Sequence, residues 1–265
     1  MSFKRKIVLE KITSRDNSKI KETSRLASNK RERAERRMFV CEGLRLCADA
    51  VSSKAEILSA FFTPDFLKKH PDTAKDIEKA AFKSYEITDS LASKISETET
   101  SQGVIIVCRH PDIPLKCKGK LLVLDGVSDP GNIGAIARSA EAFAVDGIIM
   151  SADCADPFSP KSLRASMGAF FRIPTKITDS AQTAAKMLKA KGFKVYGSVV
   201  DNPDKTVFEC DFSGDCAMII GSEAFGMSQA ARKACDYLIT LPMKGRAESL
   251  NASTAAALLL WEMQK

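Results

Sequence analysis

Histidine, tryptophan and paired cysteines are scarce in this chain of 265 residues, and each scarcity removes a class of chemistry. His70 and His110 are the only histidines, and neither has a ligand partner at usable spacing, so no metal centre is expected. His70 follows Lys68 and Lys69 and reads as a surface residue. The eight cysteines (41, 47, 108, 117, 154, 210, 216 and 235) never come closer than six positions, which excludes a C-x-x-C zinc or redox pair. Most lie in apolar surroundings, as Cys216 does before Ala217-Met218-Ile219-Ile220, and read as reduced core residues of a cytoplasmic protein. There is no secretory h-region, and the apolar runs fall well short of the ~20 residues a membrane span needs. G-x-G-x-x-G and G-x-x-x-x-G-K are both absent, so neither a dinucleotide fingerprint nor a P-loop is available.

Charge is present but unevenly placed. Residues 1–37 hold thirteen Lys and Arg against five Asp and Glu, whereas the whole chain carries only +7. A concentrated basic segment of this kind suits contact with a phosphate backbone, and a solvated charged helix suits it equally well on charge alone. The five acidic residues argue against a mitochondrial presequence. Arg31, Arg33, Arg36 and Arg37 are the candidate RNA contacts in this segment.

The length and the 45% hydrophobic content suit two domains. Strands are expected at Phe39–Gly43, Ile57–Phe62, Ser84–Ile87 and Gly103–Cys108. They alternate with helices at Leu44–Ala50, Pro64–Lys69 and Asp72–Phe82 in a small α/β sandwich over residues 1–108. Residues 109–119, with two prolines and no periodicity, read as a linker. From 120 to 265, apolar strands at 121–124, 147–150, 194–199, 216–220 and 237–241 alternate with helices at 132–143, 160–168, 180–191, 228–234 and 250–263. That pattern argues for a parallel sheet covered on both faces.

Three strand-to-helix junctions concentrate polar residues where a ligand would meet unpaired backbone N–H groups. LLVLDGVSDPGNIGAIARSAEAF (121–143) turns at Pro130-Gly131 into a helix that Asn132 is expected to cap. AMIIGSEAFGMS (217–228) empties a buried strand into a loop carrying Glu223. LPMKGRAESLNASTAAALLLWE (241–262) opens its helix at Ser249, Leu250 and Asn251, with Ser249 or Asn251 as cap. On the first helix, Ile133, Ile136, Ala137 and Ala140 form a core face, and Arg138 projects elsewhere, leaning back over the Gly131–Gly134 turn. Lys161 and Arg164, three residues apart, share a face that suits RNA phosphates or serves as a bare surface pair.

N-x-G-A-I-x-R-S-A at Asn132–Ala140, G-x-E-x-x-G at Gly221–Gly226 and P-M-x-G-x-x-E-S-L-N-x-S at Pro242–Ser253 resemble, in order, the three motifs of the SpoU/TrmH branch of the SPOUT RNA methyltransferases. Residues 120–265 resemble the catalytic domain. The opening ITSRDNSKIKETSRLASNKRERAERRMFVCEGLRL and SETETSQG at 96–103 resemble the L30e-type RNA-binding domain that often precedes it. One departure stands out: glycine usually follows the glutamate of the second motif, and here Ala224 does, which a loop needing positive φ would resist.

The resemblance implies an S-adenosylmethionine-dependent RNA 2′-O-ribose methyltransferase, with 23S-like ribosomal RNA favoured. Transfer-RNA methylation, or a non-catalytic RNA-binding or assembly role, stand as the alternatives. It also implies a C-terminal trefoil knot over about 221–265 and a homodimer through the second domain. Arg138, Asn132, Glu223, Ser249 and Asn251 would be the catalytic set. Gly221, Leu241, Met243, Ser249, Leu250 and Asn251 would wrap the cofactor, with Ser198 at a strand end as a further candidate.

Overall fold

The computed structural model describes residues 9–97, 100–246 and 248–265. The first eight residues of the basic opening, two residues of the 96–103 stretch and one of the third motif lie outside those described. The chain divides into two compact units. One comprises residues up to Pro111 together with Phe158–Phe171, and the other comprises Asp112–Pro157 and Arg172–Lys265. No helix among the described residues is long and apolar enough to cross a membrane.

The first unit runs β1 (Glu10–Ile12), α1 (Ser18–Ser28), α2 (Lys30–Arg36), β2 (Met38–Glu42), α3 (Leu44–Ser52), β3 (Ile57–Phe62), α4 (Pro64–Lys69), α5 (Pro71–Ala80), β4 (Ala81–Ile87), α6 (Asp89–Ile95) and β5 (Val104–Arg109). Its five strands form a mixed sheet in the order β1-β4-β3-β5-β2. Ile20 and Leu26 of α1 and Leu91 and Ile95 of α6 close one core over Phe61, Tyr85 and Ile105. The helix expected to reach Phe82 ends at Ala80, because Ala81 turns to extended backbone and Ala81–Lys83 pair with β3. Phe82 is left exposed.

The second half runs β6 (Lys120–Asp125), α7 (Pro130–Ala142), β7 (Gly147–Ser151), α8 (Pro160–Ser166), β8 (Thr175–Thr178), α9 (Ala181–Lys189), β9 (Lys194–Ser198), β10 (Lys205–Thr206), β11 (Cys216–Gly221), α10 (Gln229–Ala234), β12 (Tyr237–Thr240) and α11 (Ala252–Glu262). All its strand pairs are parallel, in the order β10-β12-β9-β11-β6-β7-β8. Leu121, Val123, Val195, Ala217 and Ile219 face α9 and α10 in one core. The alternate residues Leu122, Leu124, Met218 and Ile220 are equally buried. Burial on both faces is why these strands read as unbroken apolar runs.

The segment carrying α8 belongs to the first unit, although it interrupts the second half of the chain. Its aromatics explain the assignment. Phe158 stacks on His110 with ring centroids 4.1 Å apart and meets Phe39 at 5.0 Å, and Phe171 stacks on Phe39 at 6.0 Å.

The basic helices correct one expectation. Asn29 closes α1 and caps α2, accepting from the amides of Arg31 and Glu32. Across this break the Arg33 guanidinium is buried and donates 2.7 Å bonds to the carbonyls of Leu26 and Ala27. Arg33 is therefore a structural cap for the end of α1 and is withdrawn from the RNA contacts. Arg31, Arg36 and Arg37 are exposed, but Arg31 pairs with Glu35 at 2.6 Å and Arg36 with Glu32 at 2.8 Å and Glu22 at 2.7 Å. Replacing Arg33 by Ala should lower the unfolding free energy by about 2 to 4 kcal/mol, because two carbonyls lose a charged donor. Arg31→Ala should stay within about 0.5 kcal/mol, as exposed pairs do. Urea unfolding of the two variants measures the contrast, and equal losses would return Arg33 to the surface.

Candidate active site

The order of the second sheet makes the site. The chain passes from β6 outward through β7 to β8, then jumps to β9 on the other side, and β11 fills the place between β9 and β6. Reversal of strand order opens a crevice at the carboxyl ends of the strands. The crevice is bounded by the strand ends at Asp125, Ser198, Gly221 and Thr240.

Register places Gly221 opposite Asp125. The buried Asp125 carboxylate accepts a 2.7 Å bond from the amide of Ser228, which ties the end of β6 to the start of α10. Helix α7 is capped by Asp129, whose carboxylate accepts from the Gly131 amide at 2.6 Å, with Pro130 in the first turn. This corrects the expectation that Asn132 caps the helix. With Asp129 in that role, the Asn132 side chain is free to work across the crevice: its Nδ2 donates to Glu223 Oε1 and its Oδ1 accepts from Asn251 Nδ2 at 3.1 Å. Asn251 in turn caps α11 through Oδ1, accepting from the amides of Ser253 at 2.9 Å and Thr254 at 3.4 Å. One hydrogen-bonded line, Glu223–Asn132–Asn251, thus joins all three junctions.

The Glu223 loop is a closed turn. Ser222 and Gly226 exchange backbone bonds of 3.0 and 2.9 Å. The positive φ falls on Gly226, at +64°, and not on Ala224, so alanine is accommodated after the glutamate. Gly221 is required for a different reason: a Cβ there would lie 2.2 Å from the Gly226 carbonyl carbon and the Met227 nitrogen.

Between this turn and the start of α11 lies a cavity of about 400 Å³, within the range of small-molecule sites. Ser198, Gly221, Leu241, Met243, Ser249 and Leu250 line it, as does Glu223. Asn251, expected to wrap the cofactor with them, caps α11 and is not among the lining residues. Leu250 and Met243 are part-exposed side chains in the cavity lining. The walls also include Ser222 of the second motif and Glu248 of the third, neither assigned a role from the sequence, and Val199, Asp201 and Thr240, which lie outside the motifs and which the carboxyl-end rule for parallel strands would have found. Arg232 holds the Asp201 carboxyl below the usual carboxylate range through hydrogen bonds and charge, with its Nη1 2.9 Å from Asp201 Oδ1.

Arg138 lies on the exposed side of α7, pairs with no other described residue and does not line the cavity. Lys161 is exposed and has a partner of its own, while Arg164 is half-buried in the first unit. Among the described residues no three His, Cys, Asp or Glu side chains gather as a metal site.

Residues 119–261 match the SpoU rRNA Methylase family, and residues 17–106 match the MRM3-like substrate binding domain. The chain is 32% identical to the 23S rRNA (guanosine(2553)-2'-O)-methyltransferase RlmP of Bacillus subtilis (strain 168), over 97% of this chain and 100% of that one. It is 29% identical to the 23S rRNA (uridine(2479)-2'-O)-methyltransferase of Streptomyces viridochromogenes, over 95% and 91% respectively. Among solved structures it is similar to the SpoU methyltransferase AviRb from Streptomyces viridochromogenes in complex with the cofactor AdoMet. That match has a TM-score of 0.82 and 28% identity, and covers 94% of this chain and 97% of that one.

The two loop glycines separate conformational from steric need. Gly226→Ala meets open space and pays only for its left-handed backbone, roughly 1 to 2 kcal/mol. Gly221→Ala must displace backbone and should cost more than about 3 kcal/mol. Chemical denaturation of both variants is the check, and the reverse ranking would refute this account of the turn.

Proposed function

The chain belongs to the SpoU rRNA methylase family, and we propose that it transfers a methyl group from S-adenosylmethionine to a ribose 2′-hydroxyl of 23S-like ribosomal RNA. The observation that carries this reading is the Glu223–Asn132–Asn251 line beside a cavity of about 400 Å³. The cavity suits the cofactor on its own terms. Part-exposed Leu250 and Met243 offer apolar surface to an adenine ring, and Glu223 and Glu248 offer negative charge to a cationic ligand. The absent Cβ at Gly221 keeps the backbone close.

Gly221, Leu241, Met243, Ser249 and Leu250 would hold the cofactor, with Ser198 at the far wall. Bound there, S-adenosylmethionine supplies a methyl on a sulfonium centre, open to in-line displacement by the ribose oxygen. Arg138 serves the RNA side. Its guanidinium stays protonated in proteins, so it would stabilise the developing 2′-oxyanion and orient the neighbouring phosphate, while the hydroxyl proton passes to water as the sulfur–methyl bond breaks. Asn132, fixed at both ends of its amide, presents a preset surface to the ribose. Ser249 and Asn251 hold the start of α11 against it. Positioning of the two reactants accounts for most of the acceleration.

The reading extends to assembly. On α11, Leu258 and Trp261 are 44% and 54% exposed, and Trp261 meets Phe143 at the end of α7 edge-on at 5.7 Å. An apolar face of this kind on the paired helices α7 and α11 suits a two-fold homodimer. In such a dimer the Arg138 of one chain would serve the cavity of its partner, consistent with its position outside the cavity lining of its own chain. The return of the chain from β12 to α11, which packs on α7 and β11, is the segment that would thread the trefoil knot. The L30e-like region and the exposed Arg31, Arg36, Arg37 and Lys161 would bind RNA. Eight free thiols suit the reducing cytoplasm.

Arg138→Ala should abolish transfer while calorimetry finds cofactor affinity within a few-fold, and Arg138→Lys should not rescue it because the planar fork is lost. Near-normal turnover in either variant would refute the role. Mixing Arg138→Ala chains with Asn251→Trp chains should restore part of the activity if sites are shared. A monomer by light scattering that is fully active would refute the dimer. Mapping of 2′-O-methyl groups with and without the protein tests the substrate, and a site gained only in transfer RNA would overturn that part.

A further inference from the structure

Near the start of β4, Phe82 lines a groove of about 250 Å³ in the first unit. We propose that this groove is a subsite for one unpaired nucleotide of the RNA substrate, with the base stacked on Phe82 and the phosphate held by Lys83. The proposal rests on the methyltransferase reading for the identity of its ligand.

The first observation is an aromatic ring held out by regular structure. At 75%, Phe82 is the most exposed large apolar side chain among the described residues of the first unit. It does not sit at a loop tip: Ala81 pairs with Ile57 and Lys83 with Ser59, so the backbone on both sides of the ring is fixed by the sheet. This register sets Leu58 across from Phe82. Against β5 the register shifts between Ile57 and Ser59, which makes Leu58 the extra residue of a bulge. Bulges re-aim side chains, and here the consecutive residues Leu58 and Ser59 both line the groove. Half-buried Leu58 and Met38 therefore offer apolar surface beside the exposed ring.

The second observation is the charge around that surface. Lys83, next to the ring in sequence, is exposed and pairs with no other described residue. Lys19 lies 3.6 Å from Glu22, the one carboxylate in the lining, and Glu22 also takes Arg36 at 2.7 Å. Three cations thus face a single carboxylate, and Lys83 is the one left over. This balance favours one kind of occupant. An apolar protein surface, including a second copy of the chain, would have to cover lysines, which interface cores avoid. An unpaired nucleotide brings a π face and a negative charge together, so it matches the ring and the lysine at once. Stacking on an aromatic ring asks for no particular base, and the subsite would therefore hold substrate without reading its sequence.

The test uses the full chain with a labelled short oligoadenylate, and an abasic strand of the same length as control. Phe82→Ala should weaken oligoadenylate binding about fivefold or more and leave binding of the abasic strand unchanged, because only a base can stack. Phe82→Trp should keep wild-type affinity, and Phe82→Leu should not, although leucine retains apolar surface. Lys83→Gln should lower the slope of log K against log salt by roughly 0.7 on both strands, for one lost phosphate contact. Melting temperatures should not change, since both side chains are exposed. Wild-type affinity in Phe82→Ala, an equal loss on both strands, or a wild-type dimer that Phe82→Ala converts to monomer in light scattering would overturn the subsite. If Phe82→Ala binds oligoadenylate as the wild type does while the wild type methylates RNA, the subsite alone falls. If the wild type transfers no methyl to any RNA while Phe82→Ala still loses oligoadenylate affinity, the methyltransferase reading fails and the subsite stands.

Discussion

The placement of β11 between β9 and β6 is the constraint on which the rest of the second unit depends. Because β11 pairs in parallel with both neighbours, its last residue, Gly221, is held level with Asp125. Since β12 pairs in parallel with β9 in turn, the loops leaving β6, β11 and β12 emerge on one edge. Only then can an asparagine from the first loop reach a carboxylate in the second and a helix cap in the third. A sheet with these strands in simple sequential order would bury the same apolar area and leave the three polar junctions apart.

Helix capping decides which polar side chains are left for function. Asp129 satisfies the start of α7, and that frees Asn132 for its two cross-crevice bonds. Asn251 does both jobs at once, since its Oδ1 caps α11 while its Nδ2 reaches Asn132. The division follows from the chemistry of an amide, which has a donor end and an acceptor end. A carboxylate at 251 could cap the helix but would face the Asn132 oxygen with no proton to offer.

Much of this was legible in the sequence, and what was not has physical causes. Strands buried on both faces announce themselves as apolar runs, so β6, β7, β9, β11 and β12 were placed within a residue or two. Among the described residues three strands were not foreseen: β1 is the three residues Glu-Lys-Ile, β8 reads Thr-Lys-Ile-Thr and β10 has two residues, and all three lie at sheet edges where one side faces water. Asn132 was assigned to the cap because asparagine is a good cap, and Asp129, three positions earlier and just before a proline, is a better-placed one. Arg33 was read as one of a run of surface cations. Its burial depends on the chain break at Asn29, which turns the end of α1 toward it, and charge counting does not register such a turn.

The segment carrying α8 was the least legible element, and its reason is aromatic. Phe158, Phe170 and Phe171 are spaced by prolines and a glycine with no helical or strand period, so the sequence offers no partner for them. Their partner is Phe39 with His110, more than a hundred residues earlier for the phenylalanine. Burying these rings fixes α8 in the first unit, and α8 in turn carries Arg164 to the start of α3. A packing interaction therefore delivers a charged side chain to a place where no local rule would put one. The Nη1 of Arg164, closed to solvent and without a hydrogen-bond partner, is the trace it leaves: apolar burial, and not polar pairing, determines where the arginine goes.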